Sequence, residues 1–275
     1  MPEMGLPHYA GTRERVTRFA LIAGVTLVLA FLVAPLFIVV PLSFNNDPFF
    51  SFPIHTYSLR WFRDFFSNTR WIAALENSVV TAVFTTVIAS TLGTMAALGL
   101  ARPNFPCRRA VMALLISPMI VPIVIVAVGD YLLFGFFGLT NTRTGLVLAH
   151  TALAAPFVVI TVSATLSTYD PVLTRAARSL GASPLAAFRR VTLPVILPGV
   201  VAGAVFAFAT SFDEVVVALF MTSAEQRTLP VQMFSGIRDQ INPTIMAAAT
   251  LLLALSTALF VTVAWLSARA RRVKT

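Results

Sequence analysis

The stretch Thr174–Pro194, TRAARSLGASPLAAFRRVTLP, decides the reading of this chain, because it is a basic, alanine-rich segment set between two long uncharged runs. No Asp, Glu, Lys or Arg occurs between Arg143 and Asp170 upstream, or between Arg190 and Asp213 downstream. A helix that crosses a bilayer needs roughly 20 predominantly apolar residues, since its backbone polar groups must bond within the helix. Both runs meet that condition. The segment between them is therefore a polar loop at a membrane surface.

Four further runs of the same kind lie between Arg18 and Asp47, Glu76 and Arg102, Arg109 and Asp130, and Asp239 and Arg269. Six spans follow, with cores at residues 19–43, 77–101, 110–134, 144–167, 191–220 and 243–267 of a single permease-like domain covering 1–275. The first run follows Arg13, Arg15 and Arg18 as a signal peptide would. It is too long for an h-region and has no small-residue cleavage site, so it reads as a retained helix. The composition agrees: 57% of residues are hydrophobic and 11% charged, against about 25% charged in soluble domains. The single cysteine, Cys107, leaves no intrachain disulfide, and no Cys/His cluster has metal-ligand spacing.

A net charge of +9 would suggest nucleic acid in a soluble domain. Here position explains it. Lys and Arg collect in cytoplasmic loops, and with the N-terminus inside, the inner segments hold Arg13, Arg15, Arg18, Arg102, Arg108, Arg109, Arg175, Arg178, Arg189, Arg190, Arg269, Arg271, Arg272 and Lys274. The outer segments hold the other six: Arg60, Arg63, Arg70, Arg143, Arg227 and Arg238. Both termini are expected in the cytoplasm. The external segment 44–76 carries Phe49, Phe50, Phe52, Tyr57, Trp61, Phe62, Phe65, Phe66 and Trp71. Ser58 can cap a short helix there with Leu59, Phe62 and Phe66 on one face, lying along the membrane interface; contact with an external binding protein is the alternative.

The loop itself, residues 168–194, holds two capping residues each followed by proline, Asp170-Pro171 and Ser183-Pro184, the pattern of two helix starts. Gly181 suits a left-handed stop after the first helix, and Pro194 is expected to close the second before the next span. Ala176, Ala177, Ala182, Ala186 and Ala187 offer a small-residue surface for a partner's groove, with Leu180, Leu185 and Phe188 as apolar anchors. A basic helix-turn-helix can also read DNA, but this one is tied to the bilayer at both ends. A plain connector would not need two capped helices.

These residues resemble the cytoplasmic signature of binding-protein-dependent ABC importer permeases: Glu-Ala-Ala, three residues, Gly, nine residues, Ile-x-Leu-Pro. Arg175, Ala176, Ala177, Gly181, Val191, Leu193 and Pro194 fall at those spacings without a gap. Arg175 replaces the usual glutamate and Val191 the usual isoleucine. The likeness runs from NSVVTAVFTTVIASTLGTMAALGLAR (77–102) to the end, and SFDEVVVALF (211–220) with TLPVQMFSGIRDQINPTIMAAATLLL (228–253) resembles the spermidine/putrescine, PotC-like branch. The resemblance implies an all-α type I (MetI-like) permease fold in a bacterial inner membrane, with the loop as coupling helices. It also implies a second permease subunit in a heterodimer, two ATP-binding subunits and a periplasmic solute-binding protein, all within membrane lipid. The chain has no GxxxxGK[ST] loop, so ATP and magnesium belong to the ATPase and no cofactor is expected in this chain, nor any enzymatic or nucleic-acid role.

Asp213 and Glu214 interrupt what otherwise reads as one apolar helix from Val191 to Phe220. An ionisable group in mid-membrane costs roughly 2.5 to 3.5 kcal/mol on insertion scales, so it faces a cavity or a partner. Adjacent helical residues point about 100° apart, which favours Asp213 for the solute pathway, with Ser211 nearby. Asp130, at the end of the third span, is a further candidate. An acidic lining suits a cationic solute; a buried pair that fixes packing is the alternative. Ser117-Pro118 and Val121-Pro122 should kink or break the third span. Gly93, Gly99, Gly199 and Gly203 read as close-packing points between helices. Other functions to weigh are a permease for a zwitterionic amino acid or opine, and an ion-coupled secondary transporter, which would bring inverted repeats that the sequence does not display.

Overall fold

A computed structural model describes residues 12–49, 53–102, 104–239 and 242–272. Phe50, Phe52 and Lys274 lie outside the described residues, as does the start of the chain. Among the described residues twelve α-helices follow in order: α1 (Thr12–Leu42), α2 (Arg60–Ser67), α3 (Thr69–Leu100), α4 (Arg108–Ile120), α5 (Ile123–Phe136), α6 (Arg143–Leu166), α7 (Pro171–Ser179), α8 (Pro184–Ala187), α9 (Leu193–Phe212), α10 (Val216–Met221), α11 (Leu229–Asp239) and α12 (Thr244–Arg272). Five helical stretches of these residues are long and apolar enough to cross a membrane, and α4 with α5 makes a sixth if the bent pair is one span.

α3, α6 and α9 pack together as the centre of the bundle, with α6 the most buried. Small residues let them approach. A Cβ added at Gly93 would stand 2.7 Å from that of Val158, and one at Gly203 2.8 Å from the Val158 backbone, while Gly199 lies directly against Thr165. Gly99 is different: open space surrounds it, so it is not a packing point. Ala89, Ala154, Val158, Ile196 and Ala207 fill the contact between these helices. Several threonines within the spans satisfy their hydroxyls on their own helices, as Thr151 does on the Val147 carbonyl (2.7 Å) and Thr86 on that of Ala82 (2.6 Å), while Thr85 of α3 reaches across to the Val147 carbonyl of α6. α1, by contrast, presents apolar side chains on every side and is exposed from Phe19 to Ile38, with only its last turn half-buried, and it contacts α12. Such a helix is solvated by lipid or by another membrane helix.

The aromatic segment 44–76 departs from the expected orientation. Ser58 does accept the Arg60 N–H (3.0 Å), but the face of α2 that turns inward carries Trp61 and Phe65, while Leu59 and Phe66 are exposed. Phe65 packs with Trp71, Leu229 and Ile245, the Trp61 indole N–H donates to the Asn45 carbonyl (2.7 Å), and the Thr244 hydroxyl donates to Asp64 (2.6 Å). These contacts anchor α2 to the starts of α11 and α12. The aromatic pair at i and i+4 found more buried area against protein than at an interface.

Two spans end differently from their apolar runs. α3 begins at Thr69, eight residues before the expected core, because Asn68 caps it by accepting the Arg70 N–H (3.0 Å). At the other end of the bundle, Pro194 does not stop a helix. Residues 188–192 form a π turn, with the Leu193 N–H bonded to the Phe188 carbonyl, so α8 runs into α9. The wider turn accommodates a proline whose ring would otherwise meet the carbonyl four residues back.

Candidate functional site

The prolines of the third span break it completely. α4 ends at Ile120, Val121 and Pro122 are extended, and α5 leaves at 104° to α4. The fifth span breaks as well, where a continuous helix to Phe220 was expected. α9 ends at Phe212, Asp213 and Val215 hold the corner, and α10 starts at Val216. The reason is a substitution of acceptors: the Glu214 carboxylate takes the first-turn N–H groups of α10, with Oε1 on Val217 and Oε2 on Ala218, both at 2.8 Å. A side-chain cap of that strength replaces the carbonyls that a continuous helix would have supplied.

The two breaks face each other. α5 packs on α10 through Ala127, Val217 and Ala218, and an open cavity of about 530 Å³ lies beside the contact. Its walls are Pro118, Met119, Val121 and Ile123 from the first break, Leu153 and Phe157 from α6, and Thr210 with residues 213–216 from the second. Asp213 is exposed on this cavity. Glu214 touches its rim but is itself buried, its carboxylate committed to α10. The broken corner thus turns two neighbouring carboxylates in opposite directions, one to open space and one to protein.

Ser211 and Asp130 are not part of the cavity wall. Ser211 is buried, its Oγ 2.8 Å from Nδ1 of His150. The other ring nitrogen of His150, Nε2, lies 3.5 Å from Glu214 Oε2. Asp130, half-buried on α5, lies within electrostatic reach of both His150 and Glu214, and one of its carboxylate oxygens is buried without a hydrogen-bond partner. Sequence reasoning passed over His150. Its signal was available: a histidine in the middle of an uncharged span is expensive unless something answers its two nitrogens. Among the described residues no group of three His, Cys, Asp or Glu could hold a metal ion.

On the opposite face of the bundle from α2, the expected pair of capped helices is present. Asp170 caps α7 by accepting the Val172 N–H (2.8 Å), Ser183 caps α8 by accepting that of Ala186 (3.2 Å), and Gly181 takes a φ of +89° between them. Arg175, Ala176, Leu180, Gly181 and Leu185 are exposed, and Ala177 and Ala182 half-buried; Leu180 keeps 90% of its surface. Phe188 is not an outward anchor. It packs inward with Ile196, α8's buried Ala187 lying beside it in the chain. Tyr169, Thr174 and Thr192 share their hydroxyls, with Thr174 and Thr192 3.1 Å apart, and so tie α7 to the foot of α9.

Helices long and apolar enough to cross a membrane, two of the spans broken around an open cavity, define the class as a polytopic membrane protein. The chain belongs to the family described as "Binding-protein-dependent transport system inner membrane component", which matches residues 89–272. It is 34% identical over 235 residues to the spermidine/putrescine transport system permease protein PotC of Haemophilus influenzae, covering 86% of this chain and 91% of that protein. It is 33% identical over 230 residues to the putrescine transport system permease protein PotI of Escherichia coli K12, covering 81% and 82%. Among solved structures, a bacterial ABC transporter involved in the import of the acidic polysaccharide alginate superposes with a TM-score of 0.70 at 14% identity, over 94% of this chain and 97% of that one. An inward-facing MetNI methionine ABC transporter gives 0.54 at 20% identity, over 74% and 99%. The chain therefore has the type I, MetI-like permease fold. It is a multi-pass inner-membrane subunit of an ABC importer, and its work is transport, not catalysis.

Proposed function

We propose that this permease carries polyamines, spermidine or putrescine, or a closely related small organic cation, and that Asp213 meets the solute in the cavity between the two broken helices. The observation that supports the solute is the single exposed carboxylate among mostly apolar walls: it attracts an ammonium group by charge and charge-assisted hydrogen bonds, while methylene segments lie against Met119, Ile123 and Phe157. The names of the PotC and PotI relatives favour the same cargo.

The distribution of arginines supports cytoplasmic N- and C-termini. In that orientation α7 and α8 face the cytoplasm, where exposed Leu180 and Leu185 dock into an ATP-binding subunit. ATP and magnesium are bound there, not in this chain. Thirteen residues of α4 rise about 20 Å and separate the cavity from the cytoplasmic end of that helix, and a solute-binding protein delivers cargo from the periplasmic side. A second permease subunit closes the open side of the cavity, and two ATPase copies complete the complex.

The test is ATP-dependent uptake in proteoliposomes holding the whole complex, with spermidine, putrescine and zwitterionic amino acids as competing solutes. Asp213→Asn lowers polyamine uptake about tenfold, the loss of one charge-assisted contact. Unchanged polyamine uptake in that variant would remove Asp213 from the pathway, uptake of zwitterions alone would overturn the polyamine assignment, and uptake without the ATPase subunit would overturn the ATP-driven importer.

A further inference from the structure

His150 bridges the break in the fifth span. The ring comes from α6, in the middle of the bundle, and is almost fully buried. Nδ1 is 2.8 Å from Ser211 Oγ, in the last turn of α9, and Nε2 is 3.5 Å from the Glu214 carboxylate that caps α10. One imidazole therefore touches both sides of a three-residue corner. Nδ1 and the Ser211 hydroxyl are at hydrogen-bond distance, whereas Nε2 stands against the Glu214 carboxylate at ion-pair distance, longer than a normal hydrogen bond. The charged groups within electrostatic reach of this set are Asp130 from α5 and Asp213 at the corner itself.

The corner determines which carboxylate the cavity sees. Asp213 and Glu214 are neighbours, and in a continuous helix both would turn by about 100° per residue, with neither fixed by a partner. Here Glu214 is held inward by two backbone N–H groups and by His150, and Asp213 is left to face the cavity.

We propose that His150 is a positioning residue of the solute cavity: by joining Ser211 to Glu214 across the break, it holds Glu214 on α10 and keeps Asp213 presented to the solute. The proposal rests on the reading of this cavity as the solute pathway. It makes His150 a determinant of solute affinity, although it lies behind the cavity wall and touches no solute.

Two measurements test it on the assembled complex. In proteoliposomes, His150→Ala raises KM for the transported cation about tenfold with a much smaller change in kcat. His150→Gln, whose amide can donate toward Glu214 and accept from Ser211, restores most of the affinity, and Ser211→Ala gives an intermediate rise. Independently, Asp213→Cys in a Cys107→Ser background is labelled with a cationic methanethiosulfonate, which requires no knowledge of the cargo. Adding His150→Ala slows labelling of the introduced thiol about fivefold, and His150→Gln leaves it near the starting rate, as expected for loss and recovery of a side chain's orientation. Unchanged KM and unchanged labelling in His150→Ala overturn the proposal, as does a fall in kcat alone. If His150→Ala fails to assemble, Ser211→Ala decides: wild-type KM and labelling in that variant overturn it. An incorrect polyamine assignment shows instead as absent polyamine uptake in the wild type, and leaves the labelling result to stand on its own.

Discussion

α7 and α10 both begin after a break in the chain, and both need acceptors for first-turn N–H groups, yet Asp170 caps α7 on an exposed loop and Glu214 caps α10 inside the bundle. On the loop, water can take over if the cap is lost, so the cap adjusts stability by a modest amount. Inside the bundle no water competes, and the orphan N–H groups draw in a full carboxylate with its own buried neighbour, His150. The same local device is a convenience at one site and a structural necessity at the other. That difference also separates the two adjacent acids: Glu214 is committed to the fold, and Asp213 faces the cavity.

The contrast between the two caps is tested most severely by Glu214→Ala, which leaves two buried N–H groups without acceptors and should destabilise the purified complex by roughly 3 kcal/mol, read as a lowered thermal unfolding midpoint in detergent. Asp213→Asn should leave that midpoint unmoved. Equal shifts in the two variants would erase the distinction between a structural and a cavity-facing carboxylate. Next in size, Leu180→Asp puts a charge on the most exposed apolar side chain of the α7–α8 loop and, on the proposed docking of that loop, should cut ATP-driven uptake about fivefold, with ATPase co-purification falling in parallel, as for loss of an apolar anchor. Asp170→Ala should then cost about 1 kcal/mol, the usual value for an exposed N-cap, with uptake reduced less than by Leu180→Asp. Arg175→Glu restores the acid usual in the signature at an exposed position and should change ATPase affinity within about threefold, an effect screened by salt; a loss of assembly would show that the arginine is matched to its own ATPase.

The two caps also differ in how legible they are in the residue order. Asp170-Pro171, Ser183-Pro184 and Gly181 announced the two capped helices α7 and α8 because capping is decided within four residues of chain. Val121-Pro122 announced the first break for the same reason: a missing N–H and a ring clash need no partner. The second break had no such mark. Residues 191–220 read as one span because the feature that ends it, a glutamate folding back onto N–H groups ahead of it, uses a residue type found in many settings. The outward assignment of Phe188 failed likewise, since its partners belong to the core and its position gave only an apolar side chain near a loop.

Residue order was enough for a membrane chain, the apolar helices long enough to cross a bilayer, the two capped helices of residues 168–194 and the family, because apolar length, caps and prolines are local or one-dimensional quantities. Three-dimensional packing was needed to turn Trp61 and Phe65, not Leu59 and Phe66, toward the protein, to carry α8 into α9 through a π turn, and to part Asp213 from Glu214. It also brought His150 to Ser211, 61 residues away along the chain. Those outcomes depend on which buried polar groups find partners once α3, α6 and α9 have closed together, and no local pattern carries that information.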